Sequence, residues 1–123
     1  MVKRALVSVV DDDESVRESL LDMLNVFGFA AVAFSSAEDF LASESADQTK
    51  CLLLDVVMPG RSGPDLQREL SLRGKKIPVI FITAQADESL RSRLLQQGAV
   101  ACLFKPFSDT SLRQALDMAL CSS

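Results

Sequence analysis

The chain has 123 residues, of which 48% are hydrophobic, and this is enough material for the core of one domain. Its 13 Lys and Arg residues against 17 Asp and Glu residues give a formal net charge of −4, which argues against the basic surface typical of nucleic-acid binding. No apolar run reaches the length of a membrane span, and no signal-peptide cleavage sequence follows the N-terminal MVKRALVSVV. We therefore expect one soluble, cytoplasmic domain over residues 1–123 that binds neither nucleic acid directly nor a membrane.

Five short β-rich apolar runs divide the chain. They predict strands over residues 5–10, 30–34, 50–56, 78–83 and 101–104. Each run is followed by a helical pattern whose boundaries are marked by characteristic residues: Gly28 ends the first helix, Ser35 or Ser36 caps the second, Pro64 takes the first position of the third, Gly98 ends the fourth, and Ser108 or Asp109 starts the last. Strict alternation of strands and helices predicts an α/β, doubly wound domain with a parallel sheet, in which the very apolar third and fourth strands are interior.

The side chains available for chemistry are carboxylates, amines and hydroxyls. The sequence contains no His, which excludes imidazole catalysis and imidazole metal ligands. Its three cysteines, Cys51, Cys102 and Cys121, are an odd number without CxxC or CxxH spacing, so they suggest neither a disulfide framework nor a zinc site. We interpret them as buried thiols in a reducing compartment.

Polar residues lie at the carboxyl ends of four of the five predicted strands. They are Asp11, Asp12 and Asp13 at the end of the first strand, Asp55 at the end of the third, Thr83 at the end of the fourth, and Lys105 with Pro106 at the end of the fifth. Ligand sites in such sheets lie outside the carboxyl ends of the strands, so we expect these side chains to converge. Convergence also explains why an aspartate interrupts the apolar run CLLLDVVMPG, because an isolated buried carboxylate is costly.

The chemistry of this group of side chains fits phosphoryl transfer. Carboxylates from two neighbouring strands repel one another unless a cation lies between them, and an all-oxygen site with few protein ligands suits Mg²⁺. Lys105 and Thr83 can contact phosphoryl oxygens, and a carboxylate can act as the nucleophile. Taken one at a time, the acidic triplet is more often a helix cap and Lys-Pro more often a turn, so the hypothesis depends on their occurrence together.

Four stretches, VVDDDESVR, LLLDVVMPGRSG, VIFITA and FKPF, resemble the response-regulator receiver domain of two-component signalling in order and spacing from end to end. FSSAEDFLASE and PGRSGPDLQREL further resemble the FixJ-type branch, whose members usually join the receiver to a helix-turn-helix DNA-binding domain. The resemblance implies a flavodoxin-like (βα)5 three-layer sandwich with strand order 2-1-3-4-5. It also implies a sensor histidine kinase as partner.

The resemblance assigns roles to the residues at the strand ends. Asp55 matches the phosphoacceptor, which takes a phosphoryl group from the kinase's phosphohistidine. Asp12 matches a direct Mg²⁺ ligand, Asp11 a ligand acting largely through water, and the backbone carbonyl of Val57 a further ligand beside Asp55. Asp13 lies just outside this set.

The other matches concern the response to phosphorylation. Thr83 matches the hydroxyl that turns toward the acyl phosphate, Ala84 the small residue that leaves room for it, and Lys105 the phosphoryl-binding lysine. The bond between Lys105 and Pro106 is expected to be cis, which would help aim Lys105 into the crevice. The surface expected to change comprises the fourth predicted helix, the fifth strand and the fifth predicted helix.

One position departs from the family pattern. Three residues before Lys105 the family usually has Tyr or Phe, the rotameric partner of Thr83, whereas this chain has Cys102. A thiol cannot swing as an aromatic ring does. Strand alternation puts Phe104 on the same face as Cys102, where it could partly replace the missing ring.

Two other functions would need residues that this sequence lacks. An aspartyl-nucleophile phosphatase would need a second acid two residues after its nucleophile, where this chain has Val57. A flavin- or nucleotide-binding module would need a Gly-rich phosphate loop where this chain has DDD. We expect the chain, in which Ser123 directly follows the last predicted helix, to be either a stand-alone phosphorelay regulator or a receiver excised from a longer protein. The FixJ-like stretches favour the excised receiver, with a transcriptional output and dimerisation on phosphorylation.

Overall fold

The structure, a computed structural model, describes residues 4–121. Its sheet has five parallel strands in the order β2-β1-β3-β4-β5, which confirms the predicted topology. The strands are β1 (Leu6–Val10), β2 (Ala30–Phe34), β3 (Cys51–Asp55), β4 (Val79–Thr83) and β5 (Ala101–Phe104). Each lies within its predicted range, and β3 and β4 are buried along their full length, as expected of interior strands.

Among residues 4–121, six helices connect the strands and follow the last one. They are α1 (Glu14–Val26), α2 (Ala37–Ala42), α3 (Ser45–Gln48), α4 (Gly63–Leu72), α5 (Glu88–Gln96) and α6 (Asp109–Cys121). The short helix α3 was not predicted, because a single turn is too short to show a hydrophobic period. The fourth and fifth predicted helices are therefore α5 and α6.

Side-chain caps set where the helices begin. Asp13 caps α1 by accepting hydrogen bonds from the N–H groups of Ser15 and Val16. Ser36 rather than Ser35 caps α2. Ser62 caps α4, so Pro64 falls one position later than predicted, after Gly63.

Each face of the sheet is covered by its own set of helices, and the strand residues alternate between the two. Leu53 of β3 belongs to the apolar cluster under α1 and α6, whereas Leu52 and Leu54 belong to the cluster under α2, α4 and α5. This gives the expected three layers. Within residues 4–121, no helix is long and apolar enough to cross a membrane.

Candidate functional site

Three aspartates from two neighbouring strands meet at the carboxyl edge of the sheet. One carboxylate oxygen each from Asp11, Asp12 and Asp55 lies within 4.8 Å of the other two. Asp11 and Asp12 directly follow β1, Asp55 ends β3, and these strands are hydrogen-bonded to each other. The parallel pairing therefore brings these carboxylates together, as the sequence predicts. Asp13 instead caps α1, which agrees with its placement outside the set.

Asp11 is the most enclosed of the three acids, with 0% of its surface exposed. Its Oδ1 accepts a hydrogen bond from the N–H of Asp13 at 2.9 Å. Its Oδ2 accepts one from Nζ of Lys105 at 3.0 Å, so the lysine of the fifth strand end reaches across the crevice to the acid of the first. This ion pair joins two of the predicted site residues directly.

Asp55 is 7% exposed and pays an electrostatic cost for its position. Its pKa is raised from 3.8 to about 6, chiefly because burial disfavours the charged form and next because Asp11 is negatively charged. Lys105 and the backbone N–H of Val57 act in the opposite direction on the pKa of Asp55, by less. A bound cation would relieve this cost.

The donor set fits a hard divalent cation. All three side chains offer oxygen, and Asp12 is exposed while Asp11 and Asp55 are buried, so an ion there would keep water on its open side. Mg²⁺ has this preference for oxygen ligands and retained waters. The arrangement of the described residues is therefore compatible with the predicted metal.

Thr83 and Lys105 form the other wall of the crevice. Thr83 is buried at the end of β4, where its hydroxyl accepts a hydrogen bond from the N–H of Gln85 at 3.1 Å. The N–H of Lys105 donates to the carbonyl of Thr83 at 2.8 Å, which ties the two strand ends together. Ala84 is exposed beside Thr83, and the peptide bond between Lys105 and Pro106 is cis, as expected.

Cys102, which departs from the family pattern, and Phe104, its expected replacement, both lie under α5. Cys102 is buried in the apolar cluster there, and this burial raises the pKa of its thiol. Phe104 packs against the same cluster, which confirms that the two residues share a face. Phe104 is also the strand partner of Thr83, and the guanidinium carbon of Arg91 lies 5.0 Å from the centroid of its ring. An aromatic ring thus lies beside Thr83 although the usual position has a thiol.

Gly63 shapes the site, although no sequence pattern predicted a role for it. A Cβ at this position would lie 2.3 Å from the backbone oxygen of Asp55 and 3.0 Å from the Phe81 ring. The N–H of Gly63 donates to the carbonyl of Val56 at 3.0 Å. Only a residue without a side chain lets α4 approach the end of β3 this closely. The turn-rich MPGRSGP marked a loop but did not indicate which glycine contacts Asp55.

Comparison with known proteins agrees with this fold and site. The family model described as "Response regulator receiver domain" matches residues 7–117, and the chain belongs to that family. It is 45% identical to nodulation protein W of Bradyrhizobium diazoefficiens over 113 residues, covering 92% of this chain and 50% of that protein. It is 40% identical to the transcriptional regulatory protein FixJ of Rhizobium meliloti over 113 residues, covering 92% of this chain and 55% of that one.

The same likeness is found among solved structures. The crystal structure titled FixJ-N superposes with a TM-score of 0.87 at 37% identity, covering 99% of this chain and 98% of that one. These matches confirm the flavodoxin-like receiver fold and the resemblance to the FixJ-type branch. The chain spans about half the length of the curated relatives that it matches.

Proposed function

We propose that residues 1–123 form one receiver domain of a two-component response regulator and that Asp55 is its phosphoacceptor. The observation that carries this proposal is the placement of Asp55: its carboxylate shares a crevice with two further acids, one of which is paired at 3.0 Å with Lys105. A nucleophilic carboxylate, a cation site and a fixed ammonium group are the parts that phosphoryl transfer to an aspartate needs.

Asp11, Asp12, Asp55 and the backbone carbonyl of Val57 would hold the Mg²⁺ in this proposal. When bound, the metal offsets the negative charge of the carboxylates and of the transferring phosphoryl oxygens. Asp55 attacks phosphorus through a carboxylate oxygen. The bond between phosphorus and the kinase's imidazole nitrogen breaks, and its electron pair returns to the imidazole.

Lys105 and Thr83 then bind the phosphoryl oxygens. Lys105 exchanges its ion pair with Asp11 for the phosphoryl group, and the hydroxyl of Thr83 turns toward it past the small Ala84. The extra charge at one place biases a two-state domain, and the surface of α5, β5 and α6 reports the change. Phe104, which lies beside Thr83 and under Arg91, replaces the aromatic residue that the family usually has where this chain has Cys102.

The partners follow from the same proposal. A sensor histidine kinase supplies the phosphoryl group, and the domain acts as a switch rather than as an enzyme with turnover. Because relatives at this level of identity include a transcriptional regulatory protein, we propose a DNA-binding output and dimerisation on phosphorylation. The cytoplasmic location remains a prediction.

The experiment is intact-mass measurement after incubation with acetyl phosphate, with and without Mg²⁺. The wild-type protein should gain one phosphoryl group only when the metal is present, and Asp55→Asn should gain none. Asp13→Asn is the matched control, since Asp13 adjoins the acidic cluster but caps α1, and Asn also caps helices. Asp13→Asn should be phosphorylated like the wild type.

Two outcomes would contradict the proposal. An adduct that persists in Asp55→Asn would move the acceptor elsewhere, and the absence of any adduct in the wild type would leave the acidic crevice without the proposed chemistry. An aspartyl phosphatase would instead release inorganic phosphate in many turnovers without a stable adduct. The exposed, apolar Val57 beside Asp55 offers no second acid for that reaction.

A further inference from the structure

Arg17, the last residue of the stretch VVDDDESVR, makes a contact with the crevice that the sequence does not indicate. Its Nη1 donates a hydrogen bond at 2.8 Å to the backbone carbonyl of Asp11, the buried acid of the crevice. Arg17 is half-buried and lies on the first turns of α1, where its own N–H bonds to the carbonyl of Asp13. Its side chain therefore folds back from the helix onto the loop that bears the acids.

Helix stability does not explain this arginine. A cation near the beginning of a helix interacts unfavourably with the helix dipole, and acidic residues are preferred there. Several carboxylates surround it in the stretch DDDESVR, yet among residues 4–121 no carboxylate forms an ion pair with Arg17. Arg17 is therefore unfavourable for the helix and gains no ion pair in return, which indicates a role in the site.

The contact completes the set of hydrogen bonds around Asp11. Its N–H donates to the carbonyl of Phe34 at 3.1 Å, and its two carboxylate oxygens accept from Asp13 and Lys105. Arg17 takes the remaining group, the carbonyl. Because a peptide unit is planar, fixing the carbonyl of Asp11 also fixes the N–H of Asp12 and the direction in which Asp12 leaves the strand.

We propose that Arg17 is a positioning residue that holds the loop of Asp11 and Asp12 in the arrangement that receives the metal. The inference rests on the proposed Mg²⁺ function of the crevice. Lys105 and Arg17 then have separate tasks. Lys105 contacts the carboxylate of Asp11 and is free to exchange it for a phosphoryl group, whereas Arg17 contacts the backbone and keeps the loop in place after that exchange.

A charge effect and a positioning effect of Arg17 have opposite signs, which makes the proposal testable. If Arg17 acted only through its positive charge, its removal would make the crevice more negative and would tighten Mg²⁺ binding. If it positions the loop, its removal weakens binding, since loss of a group that orients a metal ligand typically lowers metal affinity by about 10–100-fold.

The experiment compares the wild type with Arg17→Gln, Arg17→Lys and Arg93→Gln by calorimetric titration with MgCl2. Arg93→Gln is the matched control, because it removes the same charge from an exposed position in the last turn of α5. We expect Arg17→Gln to bind Mg²⁺ about 10-fold more weakly, Arg17→Lys to recover part of the loss, and Arg93→Gln to bind like the wild type.

A second measurement tests, in the absence of metal, whether the loop of Asp11 and Asp12 stays in place. The N–H of Asp13 is bonded to Oδ1 of Asp11, so its solvent-exchange rate by NMR reports whether Asp11 stays in place. In metal-free Arg17→Gln this amide should exchange severalfold faster, while amides of α6 exchange at the wild-type rate.

The outcomes distinguish the positioning role of Arg17 from the metal function of the crevice. Tighter Mg²⁺ binding by Arg17→Gln, or an unchanged exchange rate at Asp13, would overturn the positioning role. If the wild type itself bound no Mg²⁺, the metal function would fail, and the Asp13 exchange rate would still decide whether Arg17 holds the loop.

Discussion

The two walls of the crevice are built differently. On the acid side, Asp11 is hydrogen-bonded through its backbone and both carboxylate oxygens, and Gly63 lets α4 pack directly against the backbone of Asp55. On the Thr83 side, residues 84–89 are all exposed, and α5 buries a single residue, Leu94, among its nine described residues. By contrast, α6 on the other face buries Leu112, Ala115, Leu116 and Ala119.

This difference indicates which parts can respond to a change in the crevice. A helix held by one buried side chain and a few surface contacts can shift at small cost, whereas one that buries four residues cannot. Chemistry that needs fixed geometry is thus placed on the acid side, and within the proposed reporting surface of α5, β5 and α6 we expect the movement to occur in α5. The following predictions test this division, in order of decreasing effect.

Truncation of a core leucine should have different effects in α6 and in α5. Leu116→Ala removes a fully buried side chain of α6 and should lower the free energy of unfolding by about 2–5 kcal/mol, with faster amide exchange throughout the domain. Leu94→Ala should accelerate exchange selectively in α5. Urea unfolding combined with hydrogen exchange measures both. Uniform acceleration by Leu94→Ala would mean that α5 is not an independently mobile element.

In metal-free protein, the ionisation of Asp55 on the acid side should lower the free energy of unfolding as pH rises. Because the pKa of Asp55 is raised to about 6 from 3.8, the unfolded chain ionises first as pH rises, so the fold loses stability between these values. Asp55→Asn should therefore stabilise the protein by about 3 kcal/mol above pH 6 and hardly at all below pH 4.

Urea unfolding in EDTA near pH 8 and near pH 4 checks this prediction. Asp65→Asn is a control of opposite sign, since hydrogen bonds with Ser62 lower the pKa of Asp65 and its ionised form stabilises the α4 cap. An equal gain from Asp55→Asn at both pH values would point to packing rather than charge.

A side chain at Gly63 should disturb the acid side specifically. Gly63→Ala places a methyl group against the backbone of Asp55 and should cost about 1–3 kcal/mol through overpacking, together with weaker Mg²⁺ binding. Gly74→Ala should also cost about 1 kcal/mol, because Gly74 has a φ of +73°, but its Cβ would meet no other atom within 4 Å. Calorimetric titration should thus find normal Mg²⁺ binding in Gly74→Ala. Equal Mg²⁺ affinities in the two variants would contradict the role of Gly63 in the site.

The smallest expected effect concerns the contact between Arg91 and Phe104 on the Thr83 side. The cation–π geometry predicts a coupling energy of about 0.5–1 kcal/mol between Arg91→Gln and Phe104→Leu in a double-mutant cycle of unfolding free energies. The functional consequence should be larger for Phe104→Leu, which should reduce the phosphorylation-induced NMR shift changes in α5 while leaving the phosphoryl adduct at Asp55 intact. If Phe104→Leu left these shift changes unaltered, Phe104 would have no role in the switch.

Much of the fold and the site could be predicted from local patterns. The apolar run ending in Asp55 indicated a buried strand, and the strand ranges all enclose the observed strands. The convergence of Asp11, Asp12 and Asp55 followed from the general rule for parallel sheets, because residues that end neighbouring strands meet at one edge. Periodicity and strand ends are local properties of a chain, so they can be inferred without coordinates.

Contacts between distant segments could be decided only by the tertiary structure. The need for Gly63 depends on how closely α4 approaches β3, and the pairing of Thr83 with Phe104 depends on strand register. The hydrogen bond from Arg17 depends on a side chain folding back past the helix cap, which no periodic pattern encodes. The sequence by itself determined which residues end the strands; the packing of helices on the sheet decided which neighbours hold them in place.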